Sequence, residues 1–138
     1  MPVLNDPFAQ VAEFHRTFGR EPDPVSMVNG LLDAKIDLRE DLITEELAEL
    51  REAIQSGDRA KILQEISDLH YVLIGYYLTL GISPELARVA FNEVHSANMS
   101  KLMPDGTVKR REDGKVLKGP NYRLPDLHGV LARFYGES

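Results

Sequence analysis

Apolar residues recur at helical spacing through four consecutive stretches of this 138-residue chain, and the pattern stops after Met103. Residues 7–18 place Phe8, Val11, Ala12, Phe14 and Phe18 on one side, with Gly19 as a stop. Beyond the turn at Pro22-Asp23-Pro24, a long helical stretch is predicted over residues 25–55. It carries Ile36, Ile43, Leu47, Leu50 and Ile54 on one face, with a bend or interruption at Asn29-Gly30. Ser56-Gly57-Asp58 closes it, and Asp58 caps a third helix over residues 59–80, where Ile62, Ile66, Leu69, Leu73, Tyr76 and Leu80 follow one another at spacings of three and four. Gly81 ends that helix. Ser83 as N-cap and Pro84 at the first helical position open a fourth, running to about Lys101 with Leu86, Val89, Ala90, Val94 and Ala97 inward.

The remainder is irregular. Pro104-Asp105-Gly106 and Glu112-Asp113-Gly114 flank residues 107–111, an arrangement suited to a short hairpin or an ordered loop. Gly119-Pro120 and Pro125 continue this character before residues 126–135, where Leu127, Val130, Leu131 and Phe134 predict a short closing helix. The expected architecture is all-α: a four-helix-bundle-like core, an irregular basic C-terminal tail and a short final helix. The length suits one domain over residues 1–138.

Composition narrows the function. With 43% hydrophobic and 28% charged residues the chain can bury a core and solvate its surface. The absence of cysteine excludes disulfides, thiolate metal ligands and a cysteine nucleophile, and fits a reducing compartment, with the cytoplasm as default. No secretory signal or membrane span is expected. The first ten residues lack basic and apolar signal regions, and the longest apolar run, residues 71–80, is too short to cross a bilayer. A formal charge of −6 argues against binding a nucleic-acid polymer. The charge is nevertheless uneven: acids crowd residues 33–52, while residues 101–118 hold Lys101, Lys109, Arg110, Arg111, Lys115 and Lys118. A polyanion held through a metal ion could use both.

Two acidic motifs interrupt the apolar stripes, Glu45-Glu46-x-x-Glu49 and Glu65-x-x-Asp68. On composition alone such acids would line a wet helix face. Their phase argues otherwise. At about 100° per residue, Glu46 falls between Ile43 and Leu50, and Glu65 lies within the arc of Leu69, Val72 and Tyr76. Glu49 and Asp68 border the same arcs. Several ionised carboxylates in such positions need a cation or many donors, because burying each alone would cost several kcal/mol. An all-oxygen set selects Mg²⁺, Mn²⁺ or Ca²⁺ over zinc, with Mg²⁺ the biological favourite. A di-iron bundle needs Glu-x-x-His on two helices, and that spacing does not occur.

At these residues the chain resembles the all-alpha nucleoside triphosphate pyrophosphohydrolases, the superfamily of MazG-like proteins, dimeric dUTPases and phosphoribosyl-ATP pyrophosphohydrolases. The order Glu-Glu-x-x-Glu then Glu-x-x-Asp matches their signature. The similarity runs from Asp37 to about Lys101 and extends into Asp113-Gly114-Lys115-x-x-Lys118 and Pro125-Asp126. The resemblance implies a MazG-type fold. It assigns Glu46, Glu49, Glu65 and Asp68 as metal ligands for two or three Mg²⁺ ions, with Mn²⁺ as a substitute, and Glu45 as a water activator or further ligand. The implied reaction is attack of metal-activated water on the α phosphorus of a (deoxy)nucleoside triphosphate such as dGTP or dUTP. Its products are a nucleoside monophosphate and pyrophosphate.

The segment Glu93-Val-His95-Ser-Ala-Asn98-Met-Ser-Lys101 is similar to the family's segment with substrate-binding Asn and Lys, which points to Asn98 and Lys101. In the tail, Lys109, Arg110, Lys115 and Lys118 are possible donors to phosphate, and Tyr122 offers a stacking surface for a base. From these, Lys115, Lys118 and Tyr122 join the expected substrate-binding set. Lys35 and Arg39 are weaker phosphate candidates and stay outside it. His15, His70, His95 and His128 show no ligand pair at helix spacing and are read as core or surface residues, with His95 a possible substrate contact. Wide apolar faces, strengthened by the resemblance, predict a homodimer or a homotetramer built from two dimers. Two other readings use the same features: a noncatalytic helical module whose acids bind metal structurally, and phosphoribosyl-ATP hydrolysis.

Overall fold

The computed structural model describes residues 6–19 and 36–136, with the side chains of residues 36 and 37 left aside. Five helices and no strand occur among them, so the expected all-α architecture is the one observed. The chain forms two compact units, one ending at Pro84 and the other beginning at Glu85.

In the first unit, helix α1 spans Pro7–Thr17 and starts because the Asp6 carboxylate accepts the Phe8 and Ala9 N–H groups at 2.8 and 3.4 Å. Helix α2 covers Ile36–Ser56. The expected stretch from residue 25 to 35, with Asn29-Gly30 and Lys35, lies outside the described residues. Gly57 then takes φ +72°, a left-handed conformation that any side chain would strain, and Asp58 caps helix α3, Arg59–Thr79, through the Ala60 and Lys61 N–H groups at 3.0 and 3.2 Å. This two-residue connection makes α2 and α3 an αα-hairpin packed lengthwise, and α1 packs on α3.

The α1–α3 seam is aromatic at its edges and aliphatic between. Phe8 meets Tyr77, and Phe14 meets Tyr71, both edge to face with centroids 5.7 and 5.6 Å apart. Between them Val11, Ala12, Ile74 and Leu78 form a buried cluster. Each of the larger three stabilises by roughly 1.5–3 kcal/mol. Arg39 and His15 are buried beside Gly75, so the side chain of Arg39, a weaker phosphate candidate on sequence that stayed outside the expected set, is part of the interior.

The apolar stripe expected to face inward along α2 and α3 does so only in part. Ala53 is fully covered, yet Leu47, Ile54, Ile66 and Leu73 are exposed. Leu63 joins them at 67% exposure. One helix seam has two sides, and α3 spends its other side on α1, so part of each apolar arc remains uncovered in a single chain. Val89 and Val94, also expected inward, are exposed as well.

The second unit contains helix α4, Pro84–Met99, and helix α5, Leu127–Tyr135. The first starts at the expected proline; its regular part stops two residues short of Lys101, whose N–H turns to the Asn98 carbonyl at 3.2 Å. Asp126 caps α5 through the Gly129 N–H at 2.9 Å. Between the helices the tail folds back on itself at one isolated antiparallel bridge, Arg110 with Val116. The Asp113 carboxylate holds this turn by accepting from the Lys115 N–H and pairing with Arg111.

Candidate metal centre

Because α2 and α3 run side by side, the two acidic motifs face one another. Oxygens of Glu46 and Glu49 from α2 and of Glu65 from α3 all lie within 4.8 Å of each other. Glu65 is buried, Glu46 half-buried, and Glu49 exposed at the rim. One carboxylate oxygen of Glu46 and one of Glu65 are buried without a hydrogen-bond partner. Such orphaned acceptors are costly in an interior.

The electrostatics agree. Burial pushes the Glu46 carboxyl up, and the charges of Glu49, Asp68 and Glu65 add to it. Burial likewise raises Glu65, followed by hydrogen bonding with Glu49 and the charges of Glu49 and Asp68; Lys61 opposes this weakly. Asp68 therefore stands close enough to act on both carboxylates, though outside the tight triad. Glu45 is exposed on α2 and does not enter the triad. Orphaned buried oxygens, mutual repulsion and an all-oxygen donor set are what a hard divalent cation would relieve, so these residues fit Mg²⁺ or Mn²⁺.

Among the described residues no histidine joins a group of potential ligands; His15 is buried and His70, His95 and His128 are exposed. A groove of about 450 Å³, lined by Gln10, Glu13, Phe14, Thr17, Phe18 and Tyr71, belongs to α1 and α3 and contains none of the acids of the two motifs.

In the second unit, Asn98 is exposed near the end of α4 and Lys101 is half-buried just beyond it. Lys118 lies over the Tyr122 ring, 4.8 Å from its centroid, a cation–π contact. Lys115 is exposed in the turn, whereas Arg110 is engaged by the Gly114 carbonyl at 3.0 Å. The sequence offered no hint of Arg123 and Glu93 as partners. They meet across 30 positions, and only long-range packing reveals such a pair.

The triad, its phase on two adjacent helices and the order of its motifs can be set against known families. The phosphoribosyl-ATP pyrophosphohydrolase family model matches residues 11–98, well over half of the chain and inclusive of both acidic motifs. A search of the curated proteins finds no match. With the described helices packed as an all-α hairpin and its carboxylates converging, the chain belongs to the phosphoribosyl-ATP pyrophosphohydrolase family, within the all-alpha nucleoside triphosphate pyrophosphohydrolase superfamily that includes the MazG-like proteins.

Proposed function

We propose that this pyrophosphohydrolase cleaves the bond between the α and β phosphates of a deoxynucleoside triphosphate, such as dGTP or dUTP, in the presence of Mg²⁺. The observation that carries the reading is the triad of Glu46, Glu49 and Glu65, with oxygens within 4.8 Å and two of them buried without a partner. Glu46, Glu49, Glu65 and Asp68 would hold two or three divalent ions, for which Mn²⁺ is a substitute. A bound divalent ion supplies neutralisation of phosphate charge and a lowered pKa for attacking water. Glu45, free at the surface of α2, takes the proton of the water whose oxygen bonds to the α phosphorus, or serves as a further ligand. The bridging oxygen leaves with pyrophosphate.

Lys101, Lys115 and Lys118 provide cations for the phosphate chain, Asn98 a hydrogen-bonding amide for sugar or phosphate, and Tyr122 a ring face for the base. The uncovered residues Leu47 and Ile54 of α2, with Ile66 and Leu73 of α3, support assembly into a homodimer or a pair of dimers. Among the described residues no helix is long and apolar enough to cross a membrane.

A panel of nucleoside and deoxynucleoside triphosphates with Mg²⁺ or Mn²⁺, resolving all phosphate products, tests the reaction. Monophosphate plus pyrophosphate is the expected pair; diphosphate plus orthophosphate would place cleavage at the terminal phosphate and defeat the reading. The family match itself favours a second substrate, phosphoribosyl-ATP, which shares the same scissile bond and belongs in the same panel.

A further inference from the structure

The tail between Val116 and Asp126 has no regular structure, yet five hydrogen bonds tie it to α4 and to the two residues that follow it. The Gly119 N–H donates to the Lys101 carbonyl at 3.0 Å, and a β-carbon at Gly119 would stand 2.8 Å from that same oxygen, so only glycine allows the approach. The Arg123 N–H donates to the Ser100 hydroxyl at 3.0 Å. The Arg123 guanidinium then reaches along α4, bonding the Ser96 hydroxyl at 2.7 Å with one nitrogen and the Glu93 carboxylate with the other. The same Glu93 oxygen accepts the Asp126 N–H at 3.3 Å. The Glu93 side chain is 16% exposed and that of Arg123 45%, so the carboxylate is partly covered while the guanidinium keeps an open side to water.

These ties bracket two residues. Lys118 precedes the Gly119 anchor and Tyr122 precedes the Arg123 anchor, and the two side chains meet as cation and ring. We propose that Arg123 is a positioning residue: by clamping the tail to Glu93 and Ser96 it presents Lys118 and Tyr122 beside the α4 terminus as a joint phosphate and nucleobase platform. Both terminal nitrogens of Arg123 are engaged within the chain, by Glu93 and Ser96 of α4 and by the Leu124 carbonyl at 3.4 Å, so it acts through the segment it holds. A planar fork is required, because one guanidinium serves two acceptors one helical turn apart. The inference rests on the nucleotide reading above.

The test compares wild type, Arg123→Ala, Arg123→Lys and Glu93→Gln as full chains with unchanged helical circular dichroism. Amide hydrogen exchange at Arg123 and Asp126 reports the clamp without any ligand, and steady-state kinetics on the best triphosphate of the panel report the platform. Arg123→Ala should lose protection at both amides and raise KM about tenfold with kcat within about twofold, because an interaction uniform in ground and transition states is weakened. Arg123→Lys should recover part of both effects, and Glu93→Gln should give a smaller KM rise, since its amide oxygen still accepts.

Lost protection with unchanged KM overturns the inference while leaving the hydrolase reading intact, and so does unchanged protection. If wild type hydrolyses no nucleotide, the hydrolase reading fails separately. Binding of inorganic triphosphate to wild type and Arg123→Ala then decides: weaker binding by the variant sustains the platform, and equal or absent binding removes it.

Discussion

Gly75 of α3 and Arg39 of α2 approach so closely that a β-carbon on Gly75 would lie 2.8 Å from a terminal guanidinium nitrogen and 3.1 Å from the His15 ring. The glycine is thus the space that admits two buried polar side chains between three helices. Gly75→Ala gains about 1 kcal/mol of helix preference but overpacks a buried site, which costs about 1–3 kcal/mol. Both neighbours are at most 5% exposed and have little room to swing away. The expected net is a loss of about 1 kcal/mol, read as a lower urea midpoint at constant slope. An unchanged or higher midpoint would show that the guanidinium relocates freely.

Glu46→Gln removes one charge from the crowded acids while keeping the shape of the side chain. Without divalent ions the variant should be more stable than wild type, since burial and three neighbouring carboxylates disfavour the ionised form. With Mg²⁺ the order should reverse. Wild type gains about 2.7 kcal/mol at an ion concentration 100 times its Kd, and EDTA removes that gain. Pyrophosphate release by the variant should fall ~100-fold or more, given that even an outer partner of a metal ligand is worth 10–100-fold. Thermal melts with and without Mg²⁺ check this. Equal Mg²⁺ responses in the two proteins would remove Glu46 from the metal site.

Glu93 carries a pH signature of the tail. The Arg123 hydrogen bond, then the Asp126 N–H, hold its carboxyl below the ordinary value of 4.5. In acid the unfolded tail takes up this proton before the folded one does. The stabilisation is therefore complete above the ordinary value and is lost as pH falls through the lower, folded value. Asp105 and Asp113, lowered by Thr107 and Arg111 respectively, act in the same direction within their own turns. An NMR titration should show the Arg123 and Asp126 amides moving together below pH 4.5, and Glu93→Gln should abolish the joint movement. Separate midpoints for the two amides would break the link.

Leu47 and Ile54 share one line of α2, and Ile66 and Leu73 one line of α3, because seven residues make nearly two turns. If these lines face a second copy, Ile54→Glu or Ile66→Glu buries a charge at the contact and should reduce the sedimenting mass toward the 15.5 kDa of one chain. Helix content should persist, as both positions are more than half exposed in the single chain. A wild type that already sediments as a monomer would refute the assembly.

Local chemistry made much of this protein readable before any coordinates. Asp58 caps the helix it precedes, Pro84 opens α4, and Gly57 closes α2, because caps and left-handed glycines act within a few residues. The placing of Glu46 and Glu65 within apolar arcs follows from the 3.6-residue period alone, and the structure leaves one half-buried and the other buried. The hairpin read into the tail is reduced to the single bridge of Arg110 with Val116.

By itself, then, the sequence determined the helices, their polar interruptions and the family. Tertiary packing decided the rest. The register of α2 against α3 gathers Glu46, Glu49 and Glu65 and leaves Glu45 at the surface. The seam with α1 draws Arg39 inside and leaves Ile54 and Ile66 outside, and the fold-back of the tail joins Arg123 to Glu93. Periodicity states which side of a helix is apolar, but not which neighbour covers it or what lies opposite at a given height, for those depend on contacts between distant parts of the chain.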